Sequence, residues 1–283
     1  MPLDVPAALA AEPVVVPLTW DHRDVLLYHL GIGAGRPATD PAELRYTLES
    51  GLRVLPSFAT VAGGGQAAGG GFALPGVDLS TARLLHSGQR ITVHRPLPPR
   101  GEAVQTTGVA RVLDRGSAAV VVLRSTVADA RGPLWTAEGD AHLIGEGGFG
   151  GDPGPGRGRP LPDRAADHEV RVATREDQAL LYRLSGDFNP LHADPAAARA
   201  AGFDRPILHG LCTYGMALKA VTDTCLDGDP ARVTGYAARF AGVFHPGETL
   251  RVRMWDEGSE IRILATAEER ADAPVLTDAH LVR

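Results

Sequence analysis

The chain repeats part of its own sequence, and this repeat limits its fold more than any other feature. Three motifs occur twice: Leu-Leu-Tyr-x-Leu at 26–30 and 180–184, Asp-Pro at 40–41 and 194–195, and Asp-Ala-His-Leu at 140–143 and 278–281. The first two motifs share an offset of 154 residues, and the third has an offset of 138. Because 283 residues leave room for about two domains, the repeat predicts two domains of the same fold.

A Gly- and Pro-rich segment separates the two copies. Residues 145–162 contain eight Gly and four Pro, a composition that suits neither a helix nor a strand. A disordered tail on one domain has a similar composition, but the position between the copies favours a linker. We therefore expect a first domain at 1–144, a linker at 145–169 and a second domain at 170–283.

The second copy combines helices with alternating strands. Three helices are expected: one capped by Thr174 and stopped at Gly186, a short one at Pro195–Ala201, and a long apolar one that follows Gly210 to about Leu226. Strands are expected at Gly235–Val243, Thr249–Trp255, Glu260–Ala267 and Val275–Val282. One long helix followed by an antiparallel meander predicts an α+β fold, in which the sheet wraps around the helix.

The first copy follows the same plan with one weak element. Its strands are expected at Gln89–His94, Val104–Val112, Ala118–Val127 and Leu134–Ile144. In place of the long helix it has Leu55–Phe72, which includes six glycines at 63–71. Each glycine costs about 1 kcal/mol relative to Ala in a helix, so we expect a degenerate helix. A flexible surface loop and space cleared for a bulky ligand both fit this segment.

Only the second copy carries a reactive pair between its repeated motifs. Asp187 and His192 lie in the segment Ser-Gly-Asp-Phe-Asn-Pro-Leu-His, and at the offset of 154 their counterparts are Gly33 and Ala38. Pro190 prevents a continuous helix, so a turn can bring the carboxylate and the imidazole to one water molecule. Turns rich in Asp, Asn and Pro are often purely structural. A structural turn could have been kept in both copies, however, so the asymmetry favours one active site.

His209-Gly210 stands immediately before the expected long helix. The free N–H groups at a helix start can stabilise a developing oxyanion, and Gly allows a ligand to approach the backbone. Taken alone, however, this motif is explained more simply as an ordinary loop with a capping His. His192, Asp194 and His209 could ligate a metal, but their spacing matches no common metal motif. We therefore expect no metal.

Composition limits the partners of the chain. The net charge of −6 argues against a nucleic-acid-binding protein, and no stretch is apolar enough to span a membrane. Cys212 and Cys225 are the only cysteines, and the N-terminus does not resemble a signal peptide. We expect a cytoplasmic protein that forms a homodimer and binds neither nucleic acid nor membrane.

The segment YRLSGDFNPLHADPAAARAAGFDRPILHGLCTYGMAL closely resembles the signature of the MaoC-like, type 2 enoyl-CoA hydratases. Three segments of the first copy resemble the non-catalytic half of the two-domain members: DVLLYHLGIGAG, LRVLPSF and LLHSGQRITVHRPLPPRGE. This resemblance implies a double hot-dog fold. It also implies reversible hydration of trans-2-enoyl-CoA to (R)-3-hydroxyacyl-CoA in fatty-acid or steroid side-chain metabolism, with no cofactor beyond the acyl-CoA substrate.

The resemblance also assigns roles to individual residues. Asp187 and His192 match the catalytic acid and histidine, Asn189 lies between them in the motif, and Gly210 matches the glycine whose N–H polarises the thioester carbonyl. Candidate substrate and CoA contacts are His86, Ser87, Arg115 and Phe240. Ser87 stands where relatives often have Gly, and Gly242-Val243 replaces a common Lys-Pro pair.

Three other functions stay open at this point. A hot-dog acyl-CoA thioesterase would use a carboxylate without the paired histidine. A dehydratase could act on the same acyl group carried by an acyl carrier protein. A non-catalytic acyl-CoA-binding protein would not need Asp187, His192 and Gly210 together.

Overall fold

The computed structural model describes residues 3–64, 76–78, 83–156 and 158–283. The described residues form one antiparallel sheet of ten strands. The strands are β1 Val14–Trp20, β2 Arg83–Val93, β3 Gly101–Asp114, β4 Ala118–Asp129, β5 Gly132–Ile144, β6 His168–Ala173, β7 Gly235–Phe240, β8 Thr249–Asp256, β9 Glu260–Ala267 and β10 Ala273–Val282. Their order in the sheet is β1-β3-β4-β5-β2-β7-β10-β9-β8-β6.

This strand order is symmetric about its centre. Each half contributes five strands. The second strand of each half, β2 and β7, lies at the centre of the sheet, and we call this β2–β7 boundary the seam. Their pairing runs from Gly88 opposite Arg239 to Thr92 opposite Gly235. The sequence repeat therefore corresponds to two like half-sheets joined into one.

The described residues form six α-helices in addition to the sheet. They are α1 Val5–Ala10, α2 His22–Gly31, α3 Pro41–Thr47, α4 Gln178–Tyr182, α5 Pro195–Ala200 and α6 Gly210–Cys225. Ten of the 16 residues of α6 are buried, which makes it the central helix of the second half. The repeated helices α2 and α4 pack against each other, with the rings of Tyr28 and Tyr182 6.1 Å apart. One hydrophobic core includes residues of both halves.

The first half has a 3₁₀-helix, Pro56–Thr60, where the second half has α6. In residues 55–64, the described part of the expected segment, the helix is therefore degenerate, as predicted. Of the glycine-rich stretch 63–71, only Gly63 and Gly64 are described, and both have positive φ angles, 70° and 93°. The other four glycines of this stretch lie outside the described residues, so the choice between a surface loop and space for a bulky ligand stays a prediction.

Several local expectations differ from the structure. Thr174 does not cap α4. Its hydroxyl donates to Glu248 O at 2.6 Å and ties the start of the second half to the turn before β8. The edge strands β1 and β6 were not predicted, and β6 begins at His168, inside the expected linker 145–169.

The Gly-rich segment after β5 is fixed by a single carboxylate. Asp114, at the end of β3, accepts hydrogen bonds from Gly148 N at 2.8 Å and Gly150 N at 2.7 Å. The glycine N–H groups therefore hold the beginning of the connection against the first half. None of the helices in the described part of the chain is both long and apolar enough to cross a membrane.

Candidate active site

A tight turn after α4 carries Asp187. The 3₁₀-helix Arg183–Ser185 ends at Gly186, which has a φ of 119°. A Cβ at Gly186 would overlap the carbonyl oxygen of Gly64 in the first half. Only glycine therefore fits this position, on both conformational and steric grounds.

Asn189 continues the turn and brings the chain back. Its N–H donates to Asp187 Oδ1 at 3.1 Å, and its own Oδ1 accepts from Leu191 N at 3.0 Å. These two bonds begin the 3₁₀-helix Pro190–His192. As a result, His192 Nε2 lies 4.0 Å from Asp187 Oδ2.

The tautomer of His192 follows from its other nitrogen. Nδ1 lies 2.9 Å from Ile207 O, and because a carbonyl oxygen can only accept, Nδ1 carries the proton. Burial lowers the pKa of His192 below its ordinary value of 6.5, so the ring is neutral at pH 7. Nε2 therefore presents a lone pair to the Asp187 carboxylate.

Two acceptors 4.0 Å apart do not bond directly to each other. A water molecule can donate one O–H to Nε2 and the other to Oδ2, with its oxygen about 2.8 Å from each. The side chain of His192 is 10% exposed and that of Asp187 is 30% exposed. The pair is therefore shielded on the imidazole side and reachable on the carboxylate side.

His209 joins this pair from the residue before α6. Its ring stacks on that of His192, with centroids 3.7 Å apart and planes inclined by 27°. Its side chain makes no capping hydrogen bond to α6, so the interpretation as a capping His is wrong.

Donor atoms of Asp187, His192 and His209 lie within 4.8 Å of one another, which raises the question of a metal. An imidazole ligates through a lone pair in the plane of its ring, at about 2.0–2.1 Å for zinc. One ion bound by both rings would have to lie close to both ring planes. The planes of His192 and His209 are inclined by only 27° with centroids 3.7 Å apart, so they intersect much farther than about 2.1 Å from either ring. The two rings in this arrangement cannot share one ion, so the cluster is better suited to water.

Gly210 is the first residue of α6, so its N–H has no acceptor within the helix. The ring of Phe240 lies against it, because a Cβ on Gly210 would be 3.1 Å from Phe240 Cδ1. On the other side, Phe240 makes an edge contact with His86, with centroids 4.9 Å apart. His86 from β2, Phe240 from β7 and Gly210 from α6 therefore meet at the seam between the halves.

Burial lowers the pKa of His86, and the hydrogen bond to Gly88 O and the charges of Asp140 and Asp187 oppose this shift only in part. The hydrogen bonds of Ser87 and Arg115 are made to other parts of the chain than Asp187, His192 and Gly210. The Ser87 hydroxyl donates to Asp140 O at 3.3 Å. The exposed guanidinium of Arg115 donates to Pro155 O at 2.9 Å, in the connection between the halves.

Two family models match the chain. The MaoC like domain matches residues 159–277, and the MFE-2 hydratase 2 N-terminal domain matches residues 18–138. The enoyl-CoA hydratase ChsH3 of Mycobacterium tuberculosis is 45% identical over 284 residues, covering 100% of this chain and 99% of that protein. The chain belongs to the MaoC-like, type 2 enoyl-CoA hydratase family.

Solved structures agree with this membership. The MaoC-like dehydratase of Phytophthora capsici superposes with a TM-score of 0.85 at 28% identity, covering 99% of this chain and 97% of that one. A Mycobacterium tuberculosis protein described as a double hotdog fold superposes with a TM-score of 0.60 at 17% identity, over 96% of this chain and 95% of that one. The predicted family and the predicted α+β, double hot-dog fold are confirmed.

Two contacts of the candidate site in this hydratase-family chain were not expected from its sequence. The stack of His209 on His192 was not foreseen, nor was the contact of the Gly64 carbonyl with Gly186. A buried His next to the expected oxyanion glycine was the available signal for the first contact. No pattern in the sequence indicated the second.

Proposed function

We propose that this chain adds water reversibly to trans-2-enoyl-CoA and forms (R)-3-hydroxyacyl-CoA. The observation that carries the proposal is the arrangement of Asp187 Oδ2 and the lone pair of His192 Nε2, 4.0 Å apart, which suits a water that donates to both. Family membership supplies the substrate class.

The chemistry of the step follows from this arrangement. The thioester carbonyl makes C3 of the enoyl group electrophilic, and the Gly210 N–H donates to the carbonyl oxygen as negative charge develops there. Asp187 and His192 together take one proton from water while its oxygen bonds to C3. The same two groups return one proton to C2, so the elements of water add to one face of the double bond.

The two halves have separate tasks in this proposal. The second domain, 170–283, supplies the acid–base pair and the oxyanion donor. The first domain, 1–144, which the linker at 145–169 joins to the second, helps to bind the acyl-CoA. His86 and Phe240 border the Gly210 N–H and contact the thioester arm. Ser87 in β2 and Arg115 in the turn between β3 and β4 are the proposed contacts for the CoA moiety.

Hydration changes no net oxidation state, so the reaction itself requires no redox cofactor. A homodimer in the cytoplasm that binds neither nucleic acid nor membrane stays our prediction for the assembly and location.

The test is hydration of crotonyl-CoA and longer trans-2-enoyl-CoA by the purified protein. Loss of the enoyl-thioester absorbance and chiral analysis of the 3-hydroxy product measure the reaction. Asp187→Asn and His192→Gln should each lower the rate by ~10²–10⁴-fold. The double variant should lose little more, because groups that act as a unit are not additive.

Asp194→Asn is the matched control. Asp194 caps α5 by accepting from Ala196 N at 2.7 Å, and Asn caps a helix equally well, so this variant should keep the wild-type rate. Release of free CoA without hydration would identify a thioesterase instead. A strong preference for the same acyl group attached to an acyl carrier protein would show that the substrate is that thioester and not the CoA thioester. Wild-type rates in folded Asp187→Asn would exclude this site.

A further inference from the structure

His209 contacts two aromatic rings. Its imidazole stacks on that of His192 with centroids 3.7 Å apart, and the centroid of the tilted Tyr182 ring lies 4.9 Å from it. Only 2% of the residue is exposed. His209 therefore covers one face of the His192 imidazole and keeps bulk water from it.

The nitrogens of His209 have different environments. Nε2 lies 3.2 Å from the backbone carbonyl oxygen of Asp187, so Nε2 carries the proton and donates. Nδ1 is buried and makes no hydrogen bond to the described residues. A second proton there would create a buried cation without an acceptor, and burial lowers the pKa of His209.

We propose that His209 is a positioning residue with two separable effects on the proposed hydration. Its ring keeps the His192 imidazole neutral. Its Nε2–H fixes the position of the Asp187 carbonyl, and this holds the Asp187 carboxylate at a distance from His192 Nε2 that one water molecule can bridge. This inference rests on the proposed function and names the residue that maintains the geometry of the pair.

Other charged groups near His192 have opposing effects. Asp187 favours the imidazolium form of His192, and Arg183 disfavours it. Burial exceeds both, and His209 supplies one face of that burial. Removal of the His209 ring should therefore raise the pKa of His192 towards 6.5.

Two variants separate the effects. His209→Phe keeps an aromatic ring over His192 but removes the donor to Asp187 O. His209→Gln removes the ring but places an amide donor near the position of Nε2. The readouts are kcat, KM, the pH dependence of kcat/KM, and the titration of His192 by NMR in protein with labelled histidines.

For His209→Phe, we expect a fall in kcat of roughly 10–100-fold, an unchanged KM and an unchanged His192 titration midpoint. For His209→Gln, we expect the midpoint to rise towards pH 6.5 and the acid limb of the kcat/KM profile to move up with it. A His209→Gln midpoint equal to wild type, or a wild-type kcat in His209→Phe, would overturn the proposal.

The wild-type protein provides a test that no folding defect can obscure. His209 should show the ¹⁵N pattern of a neutral ring protonated at Nε2, and His192 that of a ring protonated at Nδ1, with a midpoint below 6.5. The opposite tautomers would also overturn the proposal. Absence of hydratase activity in the wild type would refute the proposed function alone, because the NMR titrations do not depend on turnover.

Discussion

Replacing Gly210 by Ala tests the proposed oxyanion donor, because the structure separates its effect on rate from its effect on stability. The added Cβ would lie 3.1 Å from Phe240 Cδ1, a few tenths of an ångström too close, at the exposed start of α6. Ala is the better helix former by up to about 1 kcal/mol, which offsets a small steric cost. We therefore expect the Tm to change by no more than about 2 °C.

The rate should respond far more strongly. The Cβ of Gly210→Ala projects beside the N–H that would bind the thioester oxygen and pushes the ring of Phe240 towards His86. The N–H itself stays in the Ala variant, so obstruction of the thioester by the Cβ should lower kcat by up to the ~10²–10³-fold that loss of one oxyanion donor typically costs. The assay is hydration of crotonyl-CoA, with the folded fraction measured by circular dichroism.

Gly215→Ala, in the same helix, is the matched control. Its Cβ would lie 2.5 Å from the hydroxyl oxygen of Tyr28 and 2.8 Å from Ile32 Cγ2, inside the core. Such overpacking costs about 1–3 kcal/mol, which corresponds to roughly 2–12 °C in Tm. Activity per folded molecule should be unchanged. If Gly210→Ala instead lost stability and kept its rate, Gly210 would serve packing and not catalysis.

Three further predictions concern the scaffold. The pKa of buried His29 is lowered by desolvation to about 4, against 6.5 when unfolded, so the free energy of unfolding should fall by up to ~3 kcal/mol between pH 6.5 and 4. His29→Gln should flatten that part of a urea-denaturation series, and an equally steep fall would contradict the assignment. Gly186→Ala should lower the urea midpoint and abolish hydration, because its Cβ overlaps the Gly64 carbonyl. Lys219→Met should cost ~1–3 kcal/mol, since Lys219 Nζ bonds Glu43 Oε1 at 2.6 Å across the halves and Asp223 Oδ2 at 2.9 Å, and a further Glu43→Gln change should restore part of that loss.

Most regular elements could be predicted from the sequence because their patterns are local. The long helix ends at Cys225, one residue before the expected end, and β9 has the expected bounds, Glu260–Ala267. The edge strands β1 and β6 could not be predicted in the same way. Both pair on one side only and bury few residues, so they carry a weak apolar alternation.

The residues of the candidate site could be proposed from the sequence, but their arrangement could not. The asymmetry of the repeat singled out Asp187 and His192, and the structure places them 4.0 Å apart. The stack of His209 on His192 depends on two turns returning to the same point, and the tautomer of His192 depends on the Ile207 carbonyl. Such contacts arise from the path of the backbone, which residue types alone do not specify.

The two halves contribute unequally to the site although the sheet is symmetric. β2 and β7 meet at the seam, and each brings one ring to it, His86 and Phe240. The acid–imidazole pair comes only from the turns before α6, yet the first-half carbonyl of Gly64 lies against Gly186 beside Asp187. The first half therefore fixes the position of a turn whose reactive groups it does not supply. Because that support comes from the backbone of Gly64, it does not require an acid or an imidazole at Gly33 or Ala38.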